Sequence, residues 1–164
     1  MRYSSMIKMA EFAVKYDQDG KTVIDIGSLD TNGSYRKLFP KSTYIGVDII
    51  LGANVDIIMD SQEWDDLKDI DMVISGQTLQ QVEDIPKLMT SIFDVLKTDG
   101  VICLIAPSGG SRKSISKERM IEVLSDAGFK ILSCDTHPIG PWRDNCCIAI
   151  KMKKKRSRSV TTDK

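Results

Sequence analysis

The spacing of hydrophobic positions changes repeatedly along the chain. From Tyr3 to Tyr16, residues Met6, Met9, Ala10, Phe12, Ala13 and Tyr16 recur at three- and four-residue intervals, which puts them on one face of a helix that Asp17-Gln18-Asp19-Gly20 ends. The next apolar run, Thr22-Val23-Ile24-Asp25-Ile26, is short and β-branched, and it reads as a buried strand. Similar runs occupy residues 43–48, 55–59 and 72–75, each ending in polar or glycine residues, where a parallel sheet places its ligand-binding edge. Helical spacing appears at residues 35–39, closed by Pro40, and again at 85–96, where Ile85, Leu88, Met89, Ile92, Phe93 and Leu96 form one stripe. A third such segment, 116–127, begins Ser116-Lys117-Glu118-Arg119 and stops at Gly128. A fifth strand, 101–106, leaves the Thr98-Asp99-Gly100 turn. Two last strands, 129–134 and 146–152, are separated by a loop at Pro138-Ile139-Gly140-Pro141 and not by a helix, so they are expected to pair antiparallel.

This order predicts one α/β domain over residues 21–152. Its sheet has seven strands, mostly parallel with an antiparallel last strand, and carries helices on both faces. The helix within residues 1–20 packs on this domain, and residues 153–164 form a basic tail without periodicity, expected to be disordered. With 164 residues, 41% of them hydrophobic, the chain can build a core without disulfides or a structural metal. No apolar run approaches the roughly 18–20 residues that cross a bilayer, and the first residues lack a secretory apolar segment, so a cytoplasmic location and no membrane partner are expected.

The formal net charge of zero conceals an asymmetry. Seven of the 23 Lys and Arg residues lie beyond residue 150 against one acidic residue, Asp163, so the body holds 16 basic and 22 acidic residues, a net −6. An acidic body offers no broad footprint for a nucleic-acid backbone, which leaves only the tail for such a role. Cys103, Cys134, Cys146 and Cys147 have neither paired CxxC spacing nor a His-rich partner segment. No metal site is expected, and the four are read as buried free thiols.

Chemistry concentrates in Val23-Ile24-Asp25-Ile26-Gly27-Ser28-Leu29-Asp30-Thr31-Asn32-Gly33-Ser34-Tyr35-Arg36, a strand that runs through a glycine-containing turn into a helix. Gly27 lets a ligand approach the backbone, and Gly33 permits the turn toward free N–H groups that favour an anion. A dinucleotide fingerprint needs glycine where Leu29 and Asn32 stand, which argues against a nicotinamide enzyme. The second strand, Tyr44-Ile45-Gly46-Val47-Asp48, ends in a carboxylate about 20 residues after the loop, where a ribose diol needs a bidentate acceptor.

The acidic residue, spacer and glycine of Asp25-Ile26-Gly27 resemble motif I of the class I S-adenosylmethionine-dependent methyltransferases, and the loop from Gly27 to Arg36 resembles that of their small type 11 domains. The resemblance covers roughly residues 21–108, with weaker similarity reaching Gly140-Pro141-Trp142-Arg143-Asp144. It implies a Rossmann-like methyltransferase domain with S-adenosylmethionine as cofactor. It also implies a binding set of Asp25, Gly27, Ser28, Asn32, Gly33, Ser34, Asp48, Ile49, Asp60, Ser61, Gln62, Gly76 and Gln77. Within that set Asp60 would accept from the adenine amine, the Ser61 N–H would meet a ring nitrogen, and Gly76-Gln77 would follow the fourth strand. Relatives often carry His where Gln81 stands, and glutamine takes no proton at neutral pH, so Gln81 and the single histidine, His137, are the weak catalytic candidates.

A sulfonium methyl is already activated, and orientation alone can lower the barrier by roughly 7–11 kcal/mol, so the missing base does not exclude transfer. Few residues remain outside the core to build an acceptor site, which predicts a small acceptor and no large recognition domain. Arg112 and Lys113, on the glycine-flanked loop after the fifth strand, suit an anionic or sugar-linked molecule such as a nucleotide-sugar, and Trp142 is a candidate pocket wall. Closure of an open pocket by a second subunit would make the protein a homodimer. The alternative is a non-catalytic S-adenosylmethionine-binding module serving as a partner surface or sensor.

Overall fold

The computed structural model describes residues 3–60, 64, 67–109, 113–139 and 142–153. Helix α1 (Tyr3–Tyr16) is followed by β1 (Thr22–Ile26), β2 (Thr43–Asp48), β3 (Ile57–Ile58), β4 (Ile70–Gly76), α2 (Ile85–Val95), β5 (Leu96–Pro107), α3 (Lys117–Asp126), β6 (Phe129–Ile139) and β7 (Trp142–Lys151). The strands lie in the order β3-β2-β1-β4-β5-β7-β6. Neighbours from β3 to β5 are parallel, while β7 runs antiparallel to both β5 and β6. The chain leaves β1 toward one edge and returns to β4 on its other side, so β1 and β4 bound a topological switch point, the place where open α/β sheets bind ligands.

The side-chain period of two in the strands divides the core into two layers. Ile24, Ile26, Val73, Ile102 and Leu104 face α2 and α3, meeting Leu88, Met89, Ile92, Met120 and Leu124. The alternate residues Val23, Met72, Ile74, Val101 and Cys103 face Met9, Phe12 and Ala13 of α1, together with Tyr35 and Phe39. Helices therefore cover both faces. Asp84 caps α2 by accepting from the Lys87 N–H at 3.0 Å, and Ser116 caps α3 by accepting from the Arg119 N–H at 3.1 Å.

Several boundaries depart from the sequence reading. The helix expected at 35–39 is a three-residue 3-10 turn, Arg36–Leu38, and the strand expected at 55–59 pairs only through Ile57 and Ile58. Strand β5 begins at Leu96, before the expected turn, because Ile70 pairs with Leu96 and Met72 with Val101. The Lys97-Thr98-Asp99-Gly100 turn survives as a bulge inside the strand, with Asp99 at φ 66°. The last two strands pair from Phe129↔Lys151 to Ile139↔Trp142, which lengthens both beyond their apolar cores. That register puts Cys134 opposite Cys147, and the two form a disulfide, so only Cys103 and Cys146 remain as buried free thiols.

At the sheet end away from the switch-point loops, Asp71 accepts from the Thr22 N–H at 3.0 Å and from Lys21 and Lys97 at 3.1 Å. Burial alone would raise this carboxyl, but the Thr22 N–H and the two ammonium groups outweigh it and hold it below the usual carboxylate range. Among the described residues, no helix is long and apolar enough to cross a membrane.

Candidate active site

A cleft of about 690 Å³ opens where the C-terminal ends of β1, β2, β3 and β4 converge. That volume is ordinary for a small-ligand site. Its lining includes Asp25, Gly27, Ser28, Asn32, Gly33, Ser34, Asp48, Ile49, Asp60, Gly76 and Gln77, so eleven of the thirteen binding candidates meet in one place. The other two, Ser61 and Gln62, lie outside the described residues.

The loop after β1 is built by its own polar groups. Gly27 sits at φ 74°, and a Cβ there would lie 2.0 Å from Thr78 Oγ1, so this position needs glycine on both conformational and steric grounds. The Gly27 and Ser28 N–H groups donate to the Val47 carbonyl at 2.9 and 3.1 Å, tying the loop to β2. Asp30 accepts from the Gly33 N–H at 2.6 Å, closing the turn that sets Thr31 and Asn32 on the rim. Gly27→Ala is expected to cost about 1–2 kcal/mol for the left-handed backbone alone. Urea unfolding should show a lowered midpoint for this variant, and an unchanged midpoint would mean that the turn relaxes freely.

Asp48 ends β2 facing the same cleft. Its Oδ2 accepts from the Leu29 N–H and its Oδ1 from the Ile50 N–H, each at 3.1 Å. Each carboxylate oxygen has two lone pairs, so one acceptor site per oxygen remains for a vicinal diol. Ile49 and Ile50 lie beside it as apolar lining and are 68% and 56% exposed, a surface on which a flat ring could rest. These features fit a nucleoside bearing a ribose.

Asp25 forms the floor of the cleft and is buried. Burial pushes its carboxyl up to about 7, against the opposing pull of a hydrogen bond from the Tyr44 hydroxyl and of the Arg36 charge. The scaffold behind it joins residues far apart in the sequence. Arg36 lies over the Tyr44 ring at 4.5 Å, donates to Asn54 Oδ1 at 2.6 Å and pairs with Asp56 at 2.5 Å. Asn54, at φ 72°, donates in turn to the Ser28 carbonyl at 2.9 Å. Two loops of the cleft are thereby fastened to each other. The only sequence hint was Tyr35-Arg36 inside the first motif, since its partners lie up to 20 residues away.

The remaining candidates are more dispersed. Gln81 lines the cleft, whereas His137 lies on the edge strand β6, paired with Asp144, and is not among the lining residues. Lys113 is exposed in the segment between β5 and α3, Trp142 opens β7, and Arg112 lies outside the described residues. Trp64 is buried in the α2–α3 layer and does not line the cleft.

No protein-family model matches the chain, and a search of curated proteins returns no match. Solved structures do match. The 1,6-didemethyltoxoflavin-N1-methyltransferase of Burkholderia thailandensis, solved with 1,6-didemethyltoxoflavin and S-adenosylhomocysteine, superposes with a TM-score of 0.74 over 92% of this chain and 79% of its own, at 13% identity. The N-methyltransferase NodS of Bradyrhizobium japonicum gives 0.71 over 92% and 96%, at 9% identity. The [4+2]-cyclase SpnF gives 0.70 over 88% and 81%, at 14% identity. At these identities the likeness establishes the fold, and the chain has the Rossmann-like fold of the class I S-adenosylmethionine-dependent methyltransferases. The cyclase among these structures shows why the reaction has to be argued from the site.

Proposed function

We propose that the protein is an S-adenosylmethionine-dependent methyltransferase of the small type 11 kind, acting on a small acceptor mainly by proximity and orientation. The observation that carries this reading is the convergence of Asp25, Asp48 and Asp60, from the ends of three consecutive strands, on one cleft at the switch point. Asp48 would hold the ribose diol, and Asp60 with Ser61 and Gln62 the adenine. The backbone of Gly27, Ser28, Asn32, Gly33 and Ser34, with that of Gly76 and Gln77, would border the rest of the cofactor. When bound, S-adenosylmethionine supplies a methyl group already activated on sulfur. The chain's own task is then to hold the acceptor in line with it and to exclude water.

Among the described residues lining the cleft there is no His, Lys or Cys, and the carboxylates are weak bases, which agrees with catalysis by placement. Lys113, beside the end of β5, supports an anionic or sugar-linked acceptor, with Arg112 as its expected companion. Two of the structural neighbours carry N-methyltransferase names, which favours a nitrogen acceptor over a carbon one. Cytoplasmic action and a homodimer that closes the acceptor side complete the proposal.

Turnover separates an enzyme from a binding module. Incubation with labelled methyl donor and pooled amines, small acids and nucleotide-sugars should give donor-dependent labelled product, and its absence across all pools would favour the module.

A further inference from the structure

Gln77 holds a backbone conformation that its residue type does not favour. Four non-glycine residues among those described have positive φ, and three of them are Asn54, Asp69 and Asp99, types that tolerate the left-handed region. The fourth is Gln77, at φ 64°, immediately after β4 on the cleft wall. Such strain persists where the surroundings over-determine it, and it gathers at functional sites.

Gln77 is held on every side but one. Its N–H donates to the Ile105 carbonyl at 2.8 Å, and its carbonyl accepts from Gln80 Nε2 at 2.6 Å and from Gln81 Nε2 at 3.4 Å. Its side-chain Nε2 donates to Asp144 Oδ1 at 3.0 Å. Asp144 is 1% exposed, and its other oxygen accepts from the Ser4 hydroxyl on α1. A carboxylate can only accept, so it must face the amide nitrogen, which sets Oε1 on the opposite side of the amide group. No group among the described residues donates to that Oε1.

Resting on the methyltransferase reading, we propose that Gln77 Oε1 receives the N–H or O–H of the methyl acceptor, and that Asp144 is the positioning residue that fixes the amide for this role. The acceptor is thereby a nitrogen or oxygen nucleophile that still carries hydrogen. Its hydrogen is drawn toward Oε1, which leaves its lone pair free to turn elsewhere. A neutral amide takes no proton, so Gln77 orients and does not act as a base. A bare carboxylate nucleophile would set lone pair against lone pair and is disfavoured. An anionic handle elsewhere on the molecule is compatible with this selection.

The test reads the Gln77 side-chain amide by ¹H–¹⁵N NMR in protein saturated with S-adenosylhomocysteine, the signal being assigned by its loss in Gln77→Met. It should lie apart from free glutamine amides and move to their position in Asp144→Ala. Should that variant fail to fold, Asp144→Asn, which keeps the shape and removes the charge, should reduce the displacement. Aniline and phenol, as N–H and O–H probes, should shift the signal in the wild type, while acetate should not. Gln77→Glu should abolish aniline binding, measured through the probe's own resonances, and Gln77→Glu with Asp144→Asn should restore it by reversing donor and acceptor in the clamp. A Gln77 signal indifferent to Asp144, equal shifts from acetate, silence toward both aniline and phenol, or absence of rescue by the double variant would each overturn the proposal. Failure of S-adenosylhomocysteine to bind would instead remove the methyltransferase reading, and the dependence of the Gln77 signal on Asp144 stays measurable in the ligand-free protein.

Discussion

Asp25→Asn is expected to be no more stable than the wild type near pH 4 and to gain on it as pH rises, becoming the more stable ligand-free protein above neutral pH. The buried Asp25 carboxyl has its pKa raised to about 7 in the folded state from an ordinary 3.8, with burial as the leading cause. Between those values the native state keeps a proton that the unfolded chain has released, so stability falls as pH rises through this window and levels off above it. The difference of about three pH units sets an upper bound of roughly 4 kcal/mol for this contribution. Asparagine carries no charge to desolvate, and its carbonyl can still accept from Tyr44, although a buried amide N–H without a partner would cost about 1–3 kcal/mol. Urea titrations from pH 4 to pH 8 should therefore show the variant gaining on the wild type as pH rises. Parallel pH profiles would mean that Asp25 reaches solvent and titrates normally.

Asp48→Ala carries the second large effect. The substitution removes both remaining acceptor sites for a ribose diol, along with the Oδ2 and Oδ1 bonds that hold the Leu29 and Ile50 N–H groups. Hydrogen bonds to a charged group contribute about 1.5–3 kcal/mol, so affinity for S-adenosylhomocysteine should fall by a factor on the order of 10–100. Asp48→Asn provides the control. It keeps one acceptor oxygen and the shape of the β2 end, so it should lose less. Equal losses in the two variants would assign the effect to loop collapse and not to ribose contacts.

Much of the site was legible in the sequence, for a physical reason. Parallel strands buried on both faces are short apolar runs, and their ends are marked by the polar and glycine residues that line a cleft. Asp25, Gly27, Asp48 and Asp60 each sit at or just beyond such an end and line one cleft. Contacts between distant segments carried no such signal. The Gln77–Asp144 bond spans 67 residues and the Ser4–Asp144 bond 140, and both exist only because β7 inserts between β5 and β6 and because α1 lies across that face. The Cys134–Cys147 disulfide was missed for the same reason: the pairing register of β6 and β7 creates it, not the cysteine spacing. The bulge in β5 escaped because its turn residues read as the end of an element, whereas pairing with β4 carries the strand across them.

Calorimetric titration with S-adenosylhomocysteine asks whether the cleft at the β1–β4 switch point holds the adenosyl cofactor. Saturable binding at one site per chain is expected, with the heat diminished in Asp48→Ala and retained in a variant outside the cleft such as Lys8→Ala. Absence of binding by the folded wild-type protein at millimolar ligand, or binding that Asp48→Ala leaves unchanged, would contradict it.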